Sequence, residues 1–233
     1  MEEIIPGALY LVSTPIGNLS DITYRAVRTL QSVDLIAAED TRVTSILLRH
    51  YDIHKKMISF HSYNQKKQSH KMIGYLKNNY SIAMVSDAGT PGISDPAYTM
   101  VQAALENDIR IIPIPGASAF LASLIVSGLP VNRFAFEGFL PLKKGRKSKI
   151  ENLVTETRTI VFYESPHRIL RTSRELLAAM GDRKCVMGRE ITKKFEEFFR
   201  GLLSELIIYL QNKPAKGEIV LIVEGTGKIR KNK

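Results

Sequence analysis

The sequence predicts an α/β fold built from two α/β domains. Short apolar runs alternate with helix-period segments from residue 8 to residue 114, the pattern of a mostly parallel sheet with helices on its faces. Three of those runs end in small, turn-forming residues, at 14–18, 86–96 and 115–119. After residue 114 the pattern changes to strand-like stretches that only some helices separate, which predicts a second domain with a mixed sheet. The predicted domains are 1–115 and 116–233, the second ending in a basic tail.

In order, Ala8–Ser13 reads as a strand, and Thr23–Ser32 has helical periodicity. Asp34–Ala38 is a short apolar run closed by Glu39-Asp40-Thr41-Arg42. A helix over Thr44–His50, an extended stretch over Met57–Phe60 and a helix over Ser69–Asn78 follow. Ile82–Val85 is a strand, Ala97–Glu106 a helix, and Ile109–Ile114 the last strand of the first domain. In the second domain, Ala119–Ser127 is an apolar helix. Strands are predicted at Arg133–Phe139, Arg158–Tyr163, Lys184–Arg189 and Glu218–Val223, with helices at Ile169–Met180 and Leu203–Gln211. The tail, Gly227–Lys233, reads as frayed and solvated.

At 233 residues with 44% hydrophobic content, the chain can bury a proper core and is not a disordered polymer. No apolar run reaches membrane-spanning length, and Met1-Glu2-Glu3-Ile4-Ile5-Pro6 lacks the basic start and long apolar core of a signal peptide. Cys185 is the single cysteine, so no intramolecular disulfide forms, and the five scattered histidines lack metal-binding spacing. No metal is expected, and the location expected is the cytoplasm. A net charge of +10, from 33 Lys and Arg against 23 Asp and Glu, suits a polyanionic partner.

The segment Ser81–Pro96 carries the most information. Its strand ends in Asp87-Ala88-Gly89-Thr90-Pro91-Gly92-Ile93-Ser94-Asp95-Pro96, where glycines open backbone angles closed to other residues and prolines fix φ. A loop like this at the carboxyl end of a strand is where an open α/β sheet holds a ligand, although a tight turn would use the same residues. Neither Gly-x-x-x-x-Gly-Lys-Ser/Thr nor Gly-x-Gly-x-x-Gly occurs, which disfavours a nucleoside triphosphatase and a standard dinucleotide fold. Pro115-Gly116-Ala117-Ser118-Ala119 repeats the design at the domain junction.

Three further segments bear charge. In Phe162-Tyr163-Glu164-Ser165-Pro166-His167-Arg168, Ser165 fits a helix N-cap with Pro166 in the first turn, which leaves Glu164, His167 and Arg168 crowded at a strand end. Arg189–Glu197 reads either as a solvated helix start or as a source of Lys193 and Glu196 for a cleft. Leu142-Lys143-Lys144-Gly145-Arg146-Lys147-Ser148-Lys149 is the densest basic cluster and reads as a flexible loop suited to phosphate contacts, or simply as a solvated one.

Together, Ser13–Leu19, Glu39–Arg42, Ser86–Pro96, Pro115–Ala119, Glu137–Pro141, Tyr163–Arg168 and Arg189–Lys193 resemble the tetrapyrrole methylase superfamily, class III S-adenosylmethionine-dependent methyltransferases of two α/β domains. The resemblance covers nearly the whole chain. It is closest to the branch that 2′-O-methylates a cytidine in the decoding centre of 16S ribosomal RNA. It implies S-adenosylmethionine in a cleft between the domains, held by Asp87, Ala88, Gly89, Thr90, Ile93, Ser118, Ala119, Leu140, Tyr163 and Glu164. It also implies a homodimer and, as partner, 16S rRNA or the small ribosomal subunit.

Methylation of a hydroxyl needs in-line positioning and a proton acceptor. Lys193, unprotonated in a desolvated cleft, is the first candidate base, with Glu164 and Glu196 as competitors. Arg42, Lys143, Lys144, Arg146, Lys147 and Arg168 form the expected RNA-binding set. Two other functions fit the same scaffold: C-methylation of a tetrapyrrole, or a non-catalytic RNA-binding module that would bind no cofactor.

Overall fold

The computed structural model describes residues 4–226; the basic tail at 227–233 and the first three residues lie outside the described residues. The chain divides into two compact units, Met1–Ser118 and Ala119–Lys233. Among the described residues, no helix is long and apolar enough to cross a membrane.

The first unit runs β1 (Leu9–Val12), α1 (Tyr24–Ser32), β2 (Leu35–Ala38), α2 (Thr41–His50), β3 (Lys56–Ser59), α3 (Gln65–Lys77), β4 (Ile82–Val85), α4 (Ala97–Leu105) and β5 (Ile111–Ile114). The strand order is β3-β2-β4-β1-β5, and every pairing is parallel. β2 and β4 are buried at all four positions, which is why they read as unbroken apolar runs rather than alternating ones. The chain steps toward the β3 edge through α1 and α2 and returns through α3 and α4. Right-handed crossovers then put the two helix pairs on opposite faces. One face packs Leu30 and Leu48 on Tyr10, Val12, Ile36 and Val85, and the other packs Met72, Leu76 and Met100 on Leu9, Leu35, Ile82 and Met84.

Helix starts follow local capping. The Thr23 hydroxyl accepts the Ala26 N–H at 3.1 Å to open α1, and the Asp40 carboxylate accepts the Arg42 N–H at 2.8 Å to open α2. α3 begins four residues before the periodicity indicated, at Gln65, because its first turn is lysine-rich and carries no apolar signal.

The second unit runs α5 (Ala119–Ile125), β6 (Phe134–Phe139), α6 (Arg146–Leu153), β7 (Thr159–Glu164), α7 (Ile169–Met180), β8 (Lys184–Arg189), β9 (Glu197–Leu202), α8 (Leu203–Asn212) and β10 (Ile219–Val223). Its sheet has the order β6-β7-β10-β8-β9. The β6–β7 pair is parallel and the rest antiparallel, so the sheet is mixed. Phe162, Leu176, Met187, Leu206 and Leu221 centre its core.

Three readings need correction here. The basic segment at 143–149 is not all loop: from Arg146 it is α6, anchored by buried Ile150 and Leu153. The stretch from Arg189 is not a helix start. Glu190 and Thr192 adopt φ of 49° and 66°, and the reversal feeds β9, which pairs with β8 from Lys184↔Leu202 to Arg189↔Glu197. Ser165 does not cap α7. Its backbone carbonyl closes a turn onto Arg168 and Ile169, and its hydroxyl meets the Arg168 Nε at 3.2 Å.

Candidate functional site

In the first sheet neighbouring strands send their chains to opposite faces at β4 beside β1 and at β4 beside β2, as they also do at the β3 edge. Crevices at such points, outside the carboxyl ends of the strands, hold ligands in open α/β sheets. At the first, Thr14 and Gly89 exchange both backbone bonds, Thr14 N–H to the Gly89 carbonyl at 2.9 Å and Gly89 N–H to that of Thr14 at 3.1 Å. The Ser13 hydroxyl meets the Thr90 hydroxyl at 3.0 Å, and the Thr90 hydroxyl donates to the Ala117 carbonyl at 3.1 Å. The loops after β1, β4 and β5 are thereby laced into one surface.

That lacing demands small residues. Gly89 has φ of +85°, and a Cβ there would stand 3.3 Å from Ile16 Cγ2. A Cβ on Gly116 would fall 2.8 Å from Ser13 Cβ, inside any real contact. The same loop leaves Asp87, Ala88 and Ile93 exposed, while Gly89 is buried and Thr90 half-buried. Asp95 closes its far end, accepting the Gly92 and Ala97 N–H groups at 2.8 Å each. Thr90 is therefore spent on architecture. Asp87, Ala88 and Ile93 present the free surface.

At the second crevice, the Asp87 carboxylate accepts the Asp40 N–H at 2.9 Å. Beside it lies a cavity of about 320 Å³ lined by Glu39, Ser62, Gln65, Ser94, Asp95, Pro96, Tyr98 and Thr99, within the size range of small-molecule sites. Burial raises the Glu39 pKa above the ordinary carboxylate value, and the negative charges of Asp87, Asp95 and Asp40 add to the shift. Burial also raises Asp87, against the Asp40 N–H bond that favours its charged form. Asp40 itself is held at about 2 by its hydrogen bonds from Arg42. Adjacent carboxyls with environments this different can play different parts. Glu39 was not among the candidate bases read from the sequence. The one signal was its place at the end of a fully buried strand.

In the second unit, several expected site residues prove structural. The Leu140 side chain is buried in the core, so only its backbone is available to a ligand. Glu164 is 2% exposed and fully engaged. It sits 2.7 Å from the Arg168 guanidinium, accepts the Thr172 hydroxyl at 2.6 Å and accepts the Ser165 N–H at 2.8 Å. A buried carboxylate with those partners is not a free base. Tyr163 is half-buried against Phe136 and Phe139, and burial raises its phenol pKa. Ala119 opens α5, and its carbonyl accepts the Ser123 hydroxyl at 2.7 Å. Ser118 is half-buried at the end of the first unit.

Lys193 lies 3.0 Å from Glu190 and 3.2 Å from Glu218. Burial works to lower its pKa, but the hydrogen bonds and charges of these carboxylates outweigh it, and the net shift is upward. Lys193 is thus an ammonium, which corrects its reading as an unprotonated base. Glu196 is exposed and accepts the Thr192 N–H at 2.7 Å.

The basic set divides as well. Arg146 is 4% exposed and spends its guanidinium on Glu175 at 2.7 Å, the Thr172 hydroxyl at 2.7 Å and the Pro141 carbonyl at 3.1 Å. It is not available to a phosphate, and Arg168 is tied to Glu164. Lys143, Lys144 and Lys147 are exposed. Arg42 is exposed too, although its guanidinium holds Asp40 at 2.6 Å.

The model of the tetrapyrrole (corrin/porphyrin) methylases matches residues 8–207. A ribosomal RNA small subunit methyltransferase I of Halalkalibacterium halodurans is 49% identical over 222 residues, covering 95% of this chain and 77% of that protein. One from Streptococcus pyogenes serotype M1 is 51% identical over 220 residues, covering 94% of this chain and 77% of its own. Among solved structures, uroporphyrin-III C-methyltransferase from Thermus thermophilus, complexed with S-adenyl homocysteine, matches with a TM-score of 0.68 at 17% identity, over 93% of this chain and 97% of that one. That likeness carries the fold alone. The match over most of the chain, on a sheet whose strand ends are laced by small residues, has one consequence: the chain belongs to the tetrapyrrole methylase family.

Proposed function

We propose that this chain transfers a methyl group from S-adenosylmethionine to the ribose 2′-hydroxyl of a cytidine in the decoding centre of 16S rRNA, as a cytoplasmic homodimer. The observation that carries the reading is identity near one half, across almost the whole chain, to relatives named ribosomal RNA small subunit methyltransferase I. The net charge of +10 suits such a substrate.

The residues fit the donor. It is a cation with polar ends, and the loop after β4 offers exposed Asp87 and Ala88 beside Gly89, whose missing side chain lets the loop pack against Ile16 and Ala117. We assign donor contacts to Asp87, Ala88, Ile93 and Ser118, while Gly89 and Thr90 hold the loop in shape. The family resemblance adds Ala119, Tyr163 and the Leu140 backbone. When bound, the donor supplies a methyl group already activated on a sulfonium, so the chain's task is positioning and proton removal.

For the proton we assign Glu39. It lines a polar cavity, and its pKa is raised toward the range in which a carboxylate makes a useful base. Glu39 would accept the 2′-hydroxyl proton as the methyl passes to that oxygen, with the donor's carbon–sulfur bond breaking and a neutral thioether leaving. Lys193, as an ammonium, contributes positive charge instead of basicity.

The deciding experiment is transfer of labelled methyl from S-adenosylmethionine to purified small subunits, free rRNA and uroporphyrinogen in parallel. Label in the 2′-O-methyl of a 16S cytidine is expected, and label only in the tetrapyrrole would overturn the reading. Glu39→Gln should keep donor affinity and lose most transfer. A fully active Glu39→Gln would remove Glu39 from the chemistry.

A further inference from the structure

Residues 53–86 contain no Asp or Glu, yet carry Lys55, Lys56, Lys66, Lys67, Lys71 and Lys77. The structure gathers the last four, with His70, on one side of α3. At about 100° per residue, positions 66, 67, 70, 71, 74 and 77 fall within an arc of about 140°, and the opposite side buries Ser69, Met72, Ile73 and Leu76. Lys66, Lys67, His70, Lys71 and Lys77 are all exposed, and among the described residues none of these lysines pairs with a carboxylate. This is an unneutralised basic stripe, unlike the arginines of the second unit that are spent on internal pairs.

Two aromatics stand where the stripe meets the cavity. Tyr63 is 98% exposed just before α3, and Tyr98, 65% exposed, is itself part of the cavity wall. Ser62 and Gln65 join the two features, since both line the cavity and Gln65 opens the helix. Gln65 is fixed there by the Thr99 hydroxyl at 2.7 Å. In the middle of the stripe stands Gly74, exposed, with nothing within 4 Å of where its Cβ would be. No packing requires a glycine there, and mid-helix it costs stability. A bare spot lets another backbone approach the helix closely.

We infer that the α3 stripe is an RNA-docking surface, on which the phosphates of a single-stranded segment follow Lys66, Lys67 and Lys71. Tyr63 and Tyr98 stack unpaired bases at the mouth of the Glu39 cavity. Basic side chains interleaved with exposed aromatics are the chemistry of single-stranded RNA, whose splayed bases need π faces as well as cations. The inference rests on the RNA substrate proposed above and names the surface that holds it.

The test measures binding of an unstructured RNA 12-mer and of small subunits across a salt series, together with methyl transfer by the unaltered protein. Replacing Lys66, Lys67 and Lys71 by Ala should lower the slope of log affinity against log salt by about 2, at about 0.7 per contact on a single strand. Affinity should fall at least tenfold, with donor affinity and melting temperature unchanged. Replacing Arg174, Lys184 and Lys216, exposed on the second unit, is the charge-matched control and should have a smaller effect. Tyr63→Ala should weaken 12-mer binding about five- to hundredfold.

An unchanged slope in the α3 variant, or an equal drop in the control, overturns the surface while methyl transfer to RNA leaves the enzymatic reading standing. Anionic phosphatidylglycerol vesicles that bind through these lysines where RNA does not would assign the stripe to a membrane and overturn it too. An unaltered protein that neither binds nor methylates RNA defeats both.

Discussion

The half-buried Arg168 guanidinium sits 2.7 Å from the Glu164 carboxylate, which lies four residues earlier in the chain and is almost sealed from water. The pair is the end of a longer chain of contacts. Arg146 donates to the Thr172 hydroxyl, which donates to Glu164. Two arginines from different motifs are thereby joined through one threonine on α7. A network of this kind rigidifies the end of β7 only while every member is satisfied.

Glu164→Ala should therefore act on stability before chemistry. It strips a charged acceptor from Arg168, Thr172 and the Ser165 N–H together. A loss of about 1.5–3 kcal/mol is expected from hydrogen bonds to a charged group. Urea denaturation checks this, together with transfer assayed well below the variant's melting temperature. Residual transfer per folded molecule should stay near that of the unaltered protein. Abolished transfer in a fully folded variant would return Glu164 to the reaction.

Lys193 separates a base from a cation. Held by Glu190 and Glu218, its pKa stands above the ordinary lysine value of 10.5. A folded-state pKa raised in this way stabilises the protein below 10.5, and that contribution is lost as pH climbs through the raised value. Stability of the unaltered protein should fall above pH 10.5, and that component should be missing in Lys193→Met. Lys193→Arg keeps the positive charge but has no accessible neutral form, so it should retain methyl transfer, while Lys193→Met loses part of it. An inactive Lys193→Arg beside a normal stability profile would reinstate the base.

The first sheet was legible because each strand is a short apolar run bounded by polar turns, and its strands fall within two residues of where those runs lie. The second unit was less so. α6 hides in a lysine-rich stretch whose only apolar anchors are Ile150 and Leu153. β9 is an edge strand whose Glu197-Phe198-Phe199-Arg200 carries charge and aromatics without a two-residue alternation. The roles of Arg146 and Glu164 depend on Thr172 and Glu175, which only the fold of α7 brings near. Glu39 was hidden for the same reason. Its pKa follows from β2 lying beside β4, a pairing that skips β3 in the chain.

Acid should weaken the second unit through Glu197. Hydrogen bonds from Lys213 and Tyr209, with help from Arg189, hold its carboxyl at about 2 against the ordinary 4.5. A depressed pKa stabilises above 4.5, and that contribution drains away as pH falls from 4.5 to 2. Because Lys213 is more than half exposed, screening limits the contribution to about 1–2 kcal/mol. Chemical denaturation at stepped pH should show Glu197→Gln less stable than the unaltered protein at pH 6, with the difference closing near pH 2. A constant difference across that range would mean that the ion pairs are not its source.

Gly74 sets stability against binding. An open Cβ position and helical backbone mean that Gly74→Ala should stabilise α3 by about 0.5–1 kcal/mol. Gly74→Glu should stabilise comparably, since the new carboxylate lies three residues after Lys71 and three before Lys77, and each opposite-charge pair adds a few tenths of a kcal/mol. The same carboxylate, however, puts negative charge in the centre of the basic stripe. RNA affinity should fall at least fivefold in Gly74→Glu even as its melting temperature rises, and should fall less in Gly74→Ala, where a methyl narrows the approach without adding charge. A substitution that strengthens the fold while weakening the complex cannot act through misfolding. If Gly74→Glu binds RNA like the unaltered protein, α3 is an ordinary solvated helix face and its lysines serve solubility alone.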